Sequence, residues 1–425
     1  MIYAASVQTS VESTATGGSL LPRRRRPRTR TAAALVRLLA ARSSAAYPAL
    51  ILAALVGSPV AAESWMDSFR DPIDGELDAS QWLLQRHGFL PVPLIITEPA
   101  VGYGGGMALV FFHDRAEQAA IASDPAPRRK PSAPPSVTAV FAAATENGTK
   151  VGGAGHLGVW RDNTLRYTGG VAAMSVNLTF YGGEDFPRLS DSVDYSLEGW
   201  GAFQQLVWRW GTSEFWLGPQ LIYFDAKAGL QSASAAPIFD ALNGDISNVG
   251  AGLLLTYDGR DNIFTPTRGL QSEWYVREHW GEFGDHFEYT QVSGKNRWYF
   301  NPGAAWVIGW RLDTNFTSGD VPFYALPSIN QRGVAKGRYQ GEAVLTTEVE
   351  SRYSLTPRWA GVAFAGVGRA ADSFSEFGAA PDRWAGGVGV RYLMARLLGL
   401  QVGVDVARGP EEWTFYLQVG SAWIF

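Results

Sequence analysis

Apolar and polar residues alternate with a period of two along most of the chain after about residue 90. In the segment that begins at Leu400, the even positions through Val406 are aliphatic, whereas the odd positions include Gln401 and Asp405. Because successive side chains of a strand point to opposite faces, this pattern predicts strands with one apolar and one polar face. The last segment alternates in the same way, and its predicted apolar face carries Phe415, Leu417, Val419, Trp423 and Phe425.

About sixteen such segments of about ten residues follow one another, and an even number is typical of bacterial outer-membrane barrels. None of them contains the roughly twenty consecutive apolar residues that a membrane-spanning helix requires. The sequence therefore predicts an all-β fold, a transmembrane antiparallel β-barrel of about sixteen strands. A soluble two-sheet sandwich has the same period and is the alternative. The predicted strands are Pro91–Thr97, Gly102–His113, Ser136–Thr145, Lys150–Trp160, Leu165–Tyr181, Tyr195–Arg209, Glu214–Lys227, Asn248–Tyr257, Leu270–His279, His286–Phe300, Ala304–Thr317, Glu342–Tyr353, Trp359–Arg369, Arg383–Tyr392, Leu400–Arg408 and Trp413–Phe425.

The region before these strands has the composition of a targeting segment. A basic run at residues 23–30 precedes the apolar residues 45–56, and Val60-Ala61-Ala62 matches the small-residue pattern that signal peptidase cleaves. We therefore predict a disordered N-terminus and secretory signal peptide over residues 1–62, a short periplasmic segment over residues 63–90 and the barrel over residues 91–425. Whether residues 1–31 are translated stays open.

Composition narrows the classes of function. The net charge of -4 disfavours nucleic acid as a partner, although the basic run taken alone would suit a nucleic-acid arm. The 48 glycines and 16 tryptophans suit tightly turning strands with aromatic girdles. With no cysteine, and with neither a Gly-x-Ser-x-Gly nor a His-Glu-x-x-His pattern, the sequence predicts no catalytic residue, metal or cofactor. We expect a protein that is not an enzyme.

The most distinctive stretch is LPSINQRGVAKGRYQGEAVLTTEVESRY, residues 326–353, in which a glycine- and arginine-rich loop leads into a strand. The even positions of that strand carry Glu348 and Glu350, so both carboxylates share one face, which we predict to face water. The loop is flexible and cationic enough to fold back toward them. Its characteristic residues are Arg332, Gly333, Gly337, Arg338, Tyr339 and Gly341.

A second motif is TYDGRDNIFTPTRG, residues 256–269, where one strand ends and the next begins. Asp258 and Asp261 are placed to accept hydrogen bonds from local amides and from Arg260, and Pro266 and Gly269 set the turn. A structural role is favoured over a catalytic one. Two acids near an arginine could also bind a metal, but no histidine accompanies them.

These motifs resemble those of the outer-membrane barrel superfamily that contains BamA, TamA and FhaC. The opening strands at residues 90–106 and the terminal Trp423-Ile424-Phe425 add to the likeness, which covers most of residues 91–425. The resemblance implies a location in the bacterial outer membrane, an extracellular loop that folds into the barrel, and an assembly signal at Trp423 and Phe425. The segment before the barrel is too short for a complete POTRA domain.

By the same resemblance, Arg332 is held by Glu350 within the barrel lumen, where Arg391 also lies. The family's third partner is the aspartate of a Phe-x-Asp-x-Gly motif, but residues 364–368 read Phe-Ala-Gly-Val-Gly here. We therefore predict that Asp405 or Glu348 supplies the remaining negative charge. In the alternative, Arg332 and Glu350 face bulk water independently.

The resemblance implies insertion, assembly or translocation of a polypeptide, or of lipid, at the outer membrane. Expected partners are outer-membrane lipid and a client polypeptide that adds as a strand between the first and last strands. Pro91 and Pro93 cannot donate to a strand ladder, so this seam is predicted to be weak. A passive diffusion channel or a structural barrel is the alternative function. The sequence does not name the client, the partner proteins or the oligomeric state.

Loop lengths test the predicted topology. With the Arg332 loop outside the cell, the connections at residues 211–213, 301–303 and 354–357 become tight periplasmic turns, and the long ones at 182–194 and 228–247 become extracellular. The long connection at residues 114–135 falls on the periplasmic side. Either a strand is miscounted or this segment is an insertion.

Overall fold

The computed structural model describes residues 69–81, 89–96, 101–113, 136–180, 193–230, 244–283 and 285–423. The predicted signal peptide, the 114–135 connection and Phe425 lie outside the described residues. The chain divides into two units, the first of which spans residues 11–76. Of the first unit, residues 69–76 form a tight turn in which the amide of Gly75 donates to the carbonyl of Asp71 at 2.8 Å. The second unit contains all the strands described below.

Within the described ranges, the fold is one antiparallel sheet of sixteen strands, each hydrogen-bonded to the next in sequence order. This confirms the predicted all-β antiparallel barrel. The described connections include the 3-10 helices Phe323–Ala325 and Arg396–Leu398. In the part of the chain that the structure describes, no helix is long and apolar enough to cross a membrane. The strands are β1 Leu90–Ile96, β2 Gly104–Phe112, β3 Val137–Thr145, β4 Lys150–Trp160, β5 Leu165–Phe180, β6 Val193–Arg209, β7 Phe215–Leu230, β8 Gly244–Asp258, β9 Gly269–Phe283, β10 Asp285–Gly303, β11 Trp306–Gly319, β12 Ala343–Ser354, β13 Trp359–Ala371, β14 Arg383–Ala395, β15 Leu400–Arg408 and β16 Trp413–Val419.

The sheet is polar on its inner face and apolar on its outer face. On β12, Glu348 and Glu350 are 1% and 7% exposed, whereas Val349 between them is 47% exposed. On β15, Asp405 is fully buried while its neighbour Val404 is 41% exposed. A soluble sandwich would bury the apolar set instead, so this inverted pattern excludes it. The carboxylate face predicted to face water is buried, because loops fill the lumen beside it.

Two rims define the barrel ends. We call the end where β1 begins and β16 ends the terminal rim, and the opposite end the loop rim. Connections at the terminal rim include the short turns at residues 210–214, 304–305 and 355–358. The turn predicted at 301–303 is misplaced, because β10 continues to Gly303. The long 181–192 and 231–243 connections lie outside the described residues.

A seam separates the first and last strands. β1 pairs with β2 along its whole length, but within the described ranges it forms no backbone ladder with β16. Alternate residues of a strand direct their amides to the same neighbour, and the β2 ladder requires donors at Val92 and Leu94. Pro91 and Pro93 therefore occupy the positions that face β16, where the donors are missing. At the loop rim, the ring of Tyr103 stacks on that of Phe415 with centroids 6.1 Å apart.

The end of the chain corrects one prediction. β16 stops at Val419 and does not continue to the C-terminus. Gly420 has a φ of +80°, a left-handed conformation that glycine adopts without strain, and it turns the chain inward. Trp423, predicted on the outer face, is 4% exposed inside the lumen. There its indole N–H donates to Glu348 at 2.7 Å, which provides the partner that a buried indole requires.

Candidate functional site

The connection between β11 and β12, residues 320–342, folds into the lumen. Its 3-10 helix places Tyr324 among apolar residues that point inward from β6 to β10 near the loop rim. Ile329 follows in a second apolar cluster and is fully buried. Arg332 comes next and is 7% exposed. The inward-folded loop that the resemblance implied is thus the arrangement in the structure.

Three carboxylates surround the guanidinium of Arg332. Glu348 Oε1 accepts from Nε at 3.1 Å and from Nη2 at 2.6 Å, and Asp405 Oδ2 accepts from Nη1 at 2.7 Å. Glu350 Oε2 lies 2.8 Å from Nη2. Burial alone would lower the pKa of Arg332, but Glu348, Glu350 and Asp405 raise it above its usual value. The arginine therefore stays charged inside the lumen.

The three acids do not contribute equally. Glu348 Oε1 accepts three hydrogen bonds, two from Arg332 and one from Trp423. Glu350 Oε2 is close to Arg332 but has no partner in hydrogen-bond geometry among the described residues. The predicted ion pair between Arg332 and Glu350 is present, and Glu348 and Asp405, the two residues predicted to supply further negative charge, make the hydrogen bonds. Because all these side chains are under a tenth exposed, they do not face bulk water independently.

Asp405 supplies the third carboxylate beside Arg332, which residues 364–368 lack. The motif position is Gly366 on β13, where an added Cβ would lie 2.6 Å from the carbonyl oxygen of Thr347. Asp405 reaches Arg332 from β15 instead, and Arg391 on β14 braces it with Nη2 2.9 Å from Oδ2. The ring centroid of Phe364 on β13 lies 3.5 Å from the Arg332 guanidinium carbon. Such a cation–π contact favours a desolvated arginine.

Glycines allow the loop to approach the wall this closely. Gly333 has a φ of +92°, and its amide donates to the Tyr416 hydroxyl at 2.8 Å. A Cβ on Gly409, between β15 and β16, would overlap the carbonyl oxygen of Gly333. The glycines predicted for flexibility thus also permit a close backbone contact.

The outer part of the loop is also fixed. Arg338 Nε lies 3.7 Å from Glu411 Oε1, and the Tyr339 hydroxyl donates to the same carboxylate. Gly337 has a φ of +75° in an open turn. The amide of Gly341 donates to the carbonyl of Pro327 at 3.1 Å and closes the loop at its base. The loop is therefore attached to the β15–β16 connection.

The second motif, residues 258–269, folds on itself at the terminal rim. Arg260 donates twice to Asp258, at 2.8 and 2.9 Å, and Asp261 Oδ1 accepts from the Thr267 amide at 2.9 Å. Gly269 has a φ of +109°, as the turn requires. These contacts support the structural role predicted for the motif.

The same motif also reaches the far wall of the lumen. The carbonyl of Pro266 accepts from Arg352 Nη2 at 2.9 Å on β12. Asn262 Nδ2 donates to the carbonyl of Leu398 at 3.1 Å, and the carbonyl of Phe264 accepts from the Ser421 amide at 2.6 Å. Sequence reasoning missed Asn262 and Arg352, because these contacts join residues far apart in the chain and leave no local pattern.

The outer surface carries a continuous apolar band. On β7 the outward residues between Phe215 and Asp225 are Leu217, Pro219, Leu221 and Tyr223. Ten residues of strand extend about 34 Å, which a barrel tilt of 35–45° reduces to about 24–28 Å of height. That height matches the roughly 25 Å apolar band of outer-membrane barrels. Aromatic pairs such as Phe215 with Tyr257 and Trp359 with Tyr392, each with centroids 4.9 Å apart, lie near the terminal rim.

Comparison with known proteins identifies the fold. No protein-family model matches the chain, and no curated protein matches its sequence. Among solved structures, the chain is similar to BamA from Haemophilus ducreyi lacking POTRA domains 1–3, with a TM-score of 0.53, 12% identity, and coverage of 79% of this chain and 70% of that one.

The chain is also similar to two CdiB structures. CdiB from Acinetobacter baumannii gives a TM-score of 0.51 at 11% identity, over 78% of this chain and 59% of that one. CdiB from Escherichia coli gives 0.52 at 11%, over 77% and 61%. The chain thus spans about three fifths of the length of the CdiB chains. At these identities the likeness is one of fold, and at that level it confirms the predicted resemblance.

Proposed function

We propose that this barrel, whose fold is that of the BamA and CdiB barrels, resides in the bacterial outer membrane and assembles or translocates a polypeptide there. The observation that carries the proposal is the seam between β1 and β16, which lacks a backbone ladder in the described ranges. The apolar outer band of membrane height supports the location. The substrate enters at the seam as an added strand.

The two edges of the seam are unequal as templates. The edge of β1 that faces the seam lacks amide donors at Pro91 and Pro93. β16, Trp413–Val419, contains no proline and keeps its donors and acceptors. A client strand therefore pairs preferentially with β16, and β1 closes weakly behind it.

The contents of the lumen favour this function over passive diffusion. Residues 320–342 enter from the loop rim, while residues 259–268 and 420–423 occupy the terminal rim. These segments fix one another through the carboxylates around Arg332 and through Arg352. A structural barrel without a client stays the second candidate, and the experiment below separates the two.

Locking the seam tests the proposal directly. The chain has no cysteine, so Tyr103→Cys with Phe415→Cys gives a unique pair that a short bifunctional thiol reagent joins across the seam. Assembly of a client barrel by the protein in vesicles should stop after crosslinking and continue after a monofunctional reagent. The matched control is Leu217→Cys with Leu255→Cys, which joins two strands that are already paired.

Two results would contradict the proposal. The first is that the protein crosslinked at the seam pair assembles clients as well as the protein crosslinked at the control pair. The second is steady conductance through the unmodified protein in planar bilayers, which a filled lumen does not support and a diffusion channel does.

A further inference from the structure

A short segment before the first strand is docked on the terminal rim. Residues 77–81, which we call the strap, lie against the β12–β13 and β14–β15 connections. Arg358 Nη1 lies 2.6 Å from Asp78 Oδ2, and the two side chains are only 5% and 4% exposed. A buried pair of this kind is costly to break, because removing one partner leaves the other charge buried without compensation.

The strap also satisfies backbone amides of the rim. The 3-10 helix at Arg396–Leu398 has no side-chain cap from its own N-cap residue. Asp78 Oδ2 accepts from the Arg396 amide at 3.0 Å, and Ser80 Oγ accepts from the Leu397 amide at 3.0 Å. The first amides of a helix lack partners within it, so the strap supplies the missing cap.

Backbone contacts fix the strap along its length. The Ala79 amide donates to the carbonyl of Met394 at 2.7 Å, and the Tyr392 hydroxyl donates to the carbonyl of Leu77 at 2.7 Å. We call the rim site formed by Arg358, Tyr392, Met394, Arg396 and Leu397 the socket. The Arg358 guanidinium and the Arg396 amide bind an aspartate carboxylate, and the Leu397 amide binds the hydroxyl of a serine two residues later.

We propose that the socket is a peptide-binding site for an Asp-x-Ser segment, and that its resident strap ties the chain before β1 to β13–β15 across the seam. β1 begins on one side of the seam, at Leu90, and the socket lies on the other. The strap therefore joins both sides of the seam at the terminal rim, independently of any hydrogen bond between β1 and β16.

The strap limits how far the seam opens. Eight residue steps separate Gln81 from Phe89, and a fully extended chain covers roughly 26–29 Å over that length. That length is an upper bound, so with the strap docked β1 stays within this distance of the socket. A client that needs a wider opening of the seam requires release of the strap; this last step rests on the proposed function.

Amide hydrogen exchange tests the socket. In Asp78→Ala, the Arg396, Leu397 and Ala79 amides should exchange roughly 10- to 100-fold faster, as expected for loss of hydrogen bonds to a charged group. Asp74→Ala, which removes the hydrogen bond from the Glu76 amide in the turn before the strap, should leave them unchanged. Asp78→Asn is the substitute variant if the alanine variant does not fold. Unchanged exchange in both Asp78 variants would overturn the assignment of the socket.

A peptide in trans tests the binding site itself. In the double variant Asp78→Ala, Ser80→Ala, an added peptide with the sequence GELDASQ should restore slow exchange at Arg396 and Leu397. A scrambled peptide of the same composition should not. Equal protection by the two peptides, or by neither, would overturn recognition of the Asp-x-Ser pattern.

Spin labels test the limit on opening. Labels at the exposed positions Ile95 on β1 and Leu417 on β16 report the width of the seam. In the Asp78→Ala variant, the distribution of distances between the two labels should extend to larger values than in the protein with an unmodified strap. An unchanged distribution despite faster exchange would refute the tether. If the distribution widens but neither protein assembles a client, the tether holds and the proposed function fails.

Discussion

Removing the charge of Asp405 probes the lumen network most directly. Asp405 is fully buried, accepts from Arg332 at 2.7 Å and from Arg391 at 2.9 Å, and is the carboxylate that replaces the missing motif aspartate. In Asp405→Asn, two buried guanidinium groups lose their shared counter-charge. We expect a loss of about 3–5 kcal/mol in unfolding free energy, the usual cost of removing one partner of a buried ion pair.

The geometry also predicts an order among the acids. Glu350 lies 2.8 Å from Arg332 and 3.8 Å from Arg391 but makes no hydrogen bond with its Oε2. Glu350→Gln should therefore cost about 1.5–3 kcal/mol less than Asp405→Asn, since hydrogen bonds to charged groups contribute that much. As a control, Glu273→Gln removes the lumen pair with Lys295, which is about a quarter exposed, and should cost at most about 1 kcal/mol.

Heat-modifiable gel mobility over a urea series measures the folded fraction of each variant in detergent or vesicles. The reasoning predicts midpoints in the order control, Glu350→Gln, Asp405→Asn, from highest to lowest urea. The reverse order of the two acids, or an Asp405→Asn midpoint equal to the control, would refute the hydrogen-bond assignment. Combining Asp405→Asn with Arg332→Gln should cost less than the sum of the single changes, because the two residues share one interaction.

Three further predictions concern the contacts around this network. Trp423→Phe removes the N–H that reaches Glu348 and should lower stability by about 1–3 kcal/mol in the same urea series, because the carboxylate loses a buried donor; an unchanged midpoint would mean that the indole contributes only packing. Gly333→Ala should destabilise the fold more than Gly337→Ala, since both have a positive φ but only the former is packed against the wall; equal midpoints would contradict the close contact. Asn262→Ala should speed amide hydrogen exchange within residues 262–268, whereas exchange in the β4–β5 turn, the control region, should not change. If exchange within residues 262–268 is as slow as in the unmodified protein, the motif does not depend on this side chain.

Much of the fold follows from local sequence pattern. Period-two alternation located strands such as Lys150–Trp160 and Trp359–Ala371 within a few residues, because each strand has an apolar outer face and a more polar inner face along its length. The loop with Arg332 and the acids of β12 were also found, because a charged residue within a glycine-rich loop and two carboxylates on one strand face are both visible in sequence.

The errors arose where distant contacts override local pattern. Trp423 continues the outward rhythm of β16, but the turn at Gly420 and the acceptor on Glu348 place it inside. Which of the acids around Arg332 accept its hydrogen bonds depends on the angles between side chains of β12 and β15, which spacing does not encode. Asp78 gave no signal, because the guanidinium that binds it lies 280 residues later in the chain.

The reach of the β8–β9 connection has a consequence for the order of folding. Asn262 bonds to Leu398, 136 residues later, and Phe264 bonds to Ser421 near the end of the chain. Such contacts cannot form until the last strands have joined the sheet, and closing so long a loop is slow. The segments that fill the lumen therefore become ordered last in folding. In a barrel whose final strands pair in the wrong register, these segments would stay undocked and would be cleaved by proteases.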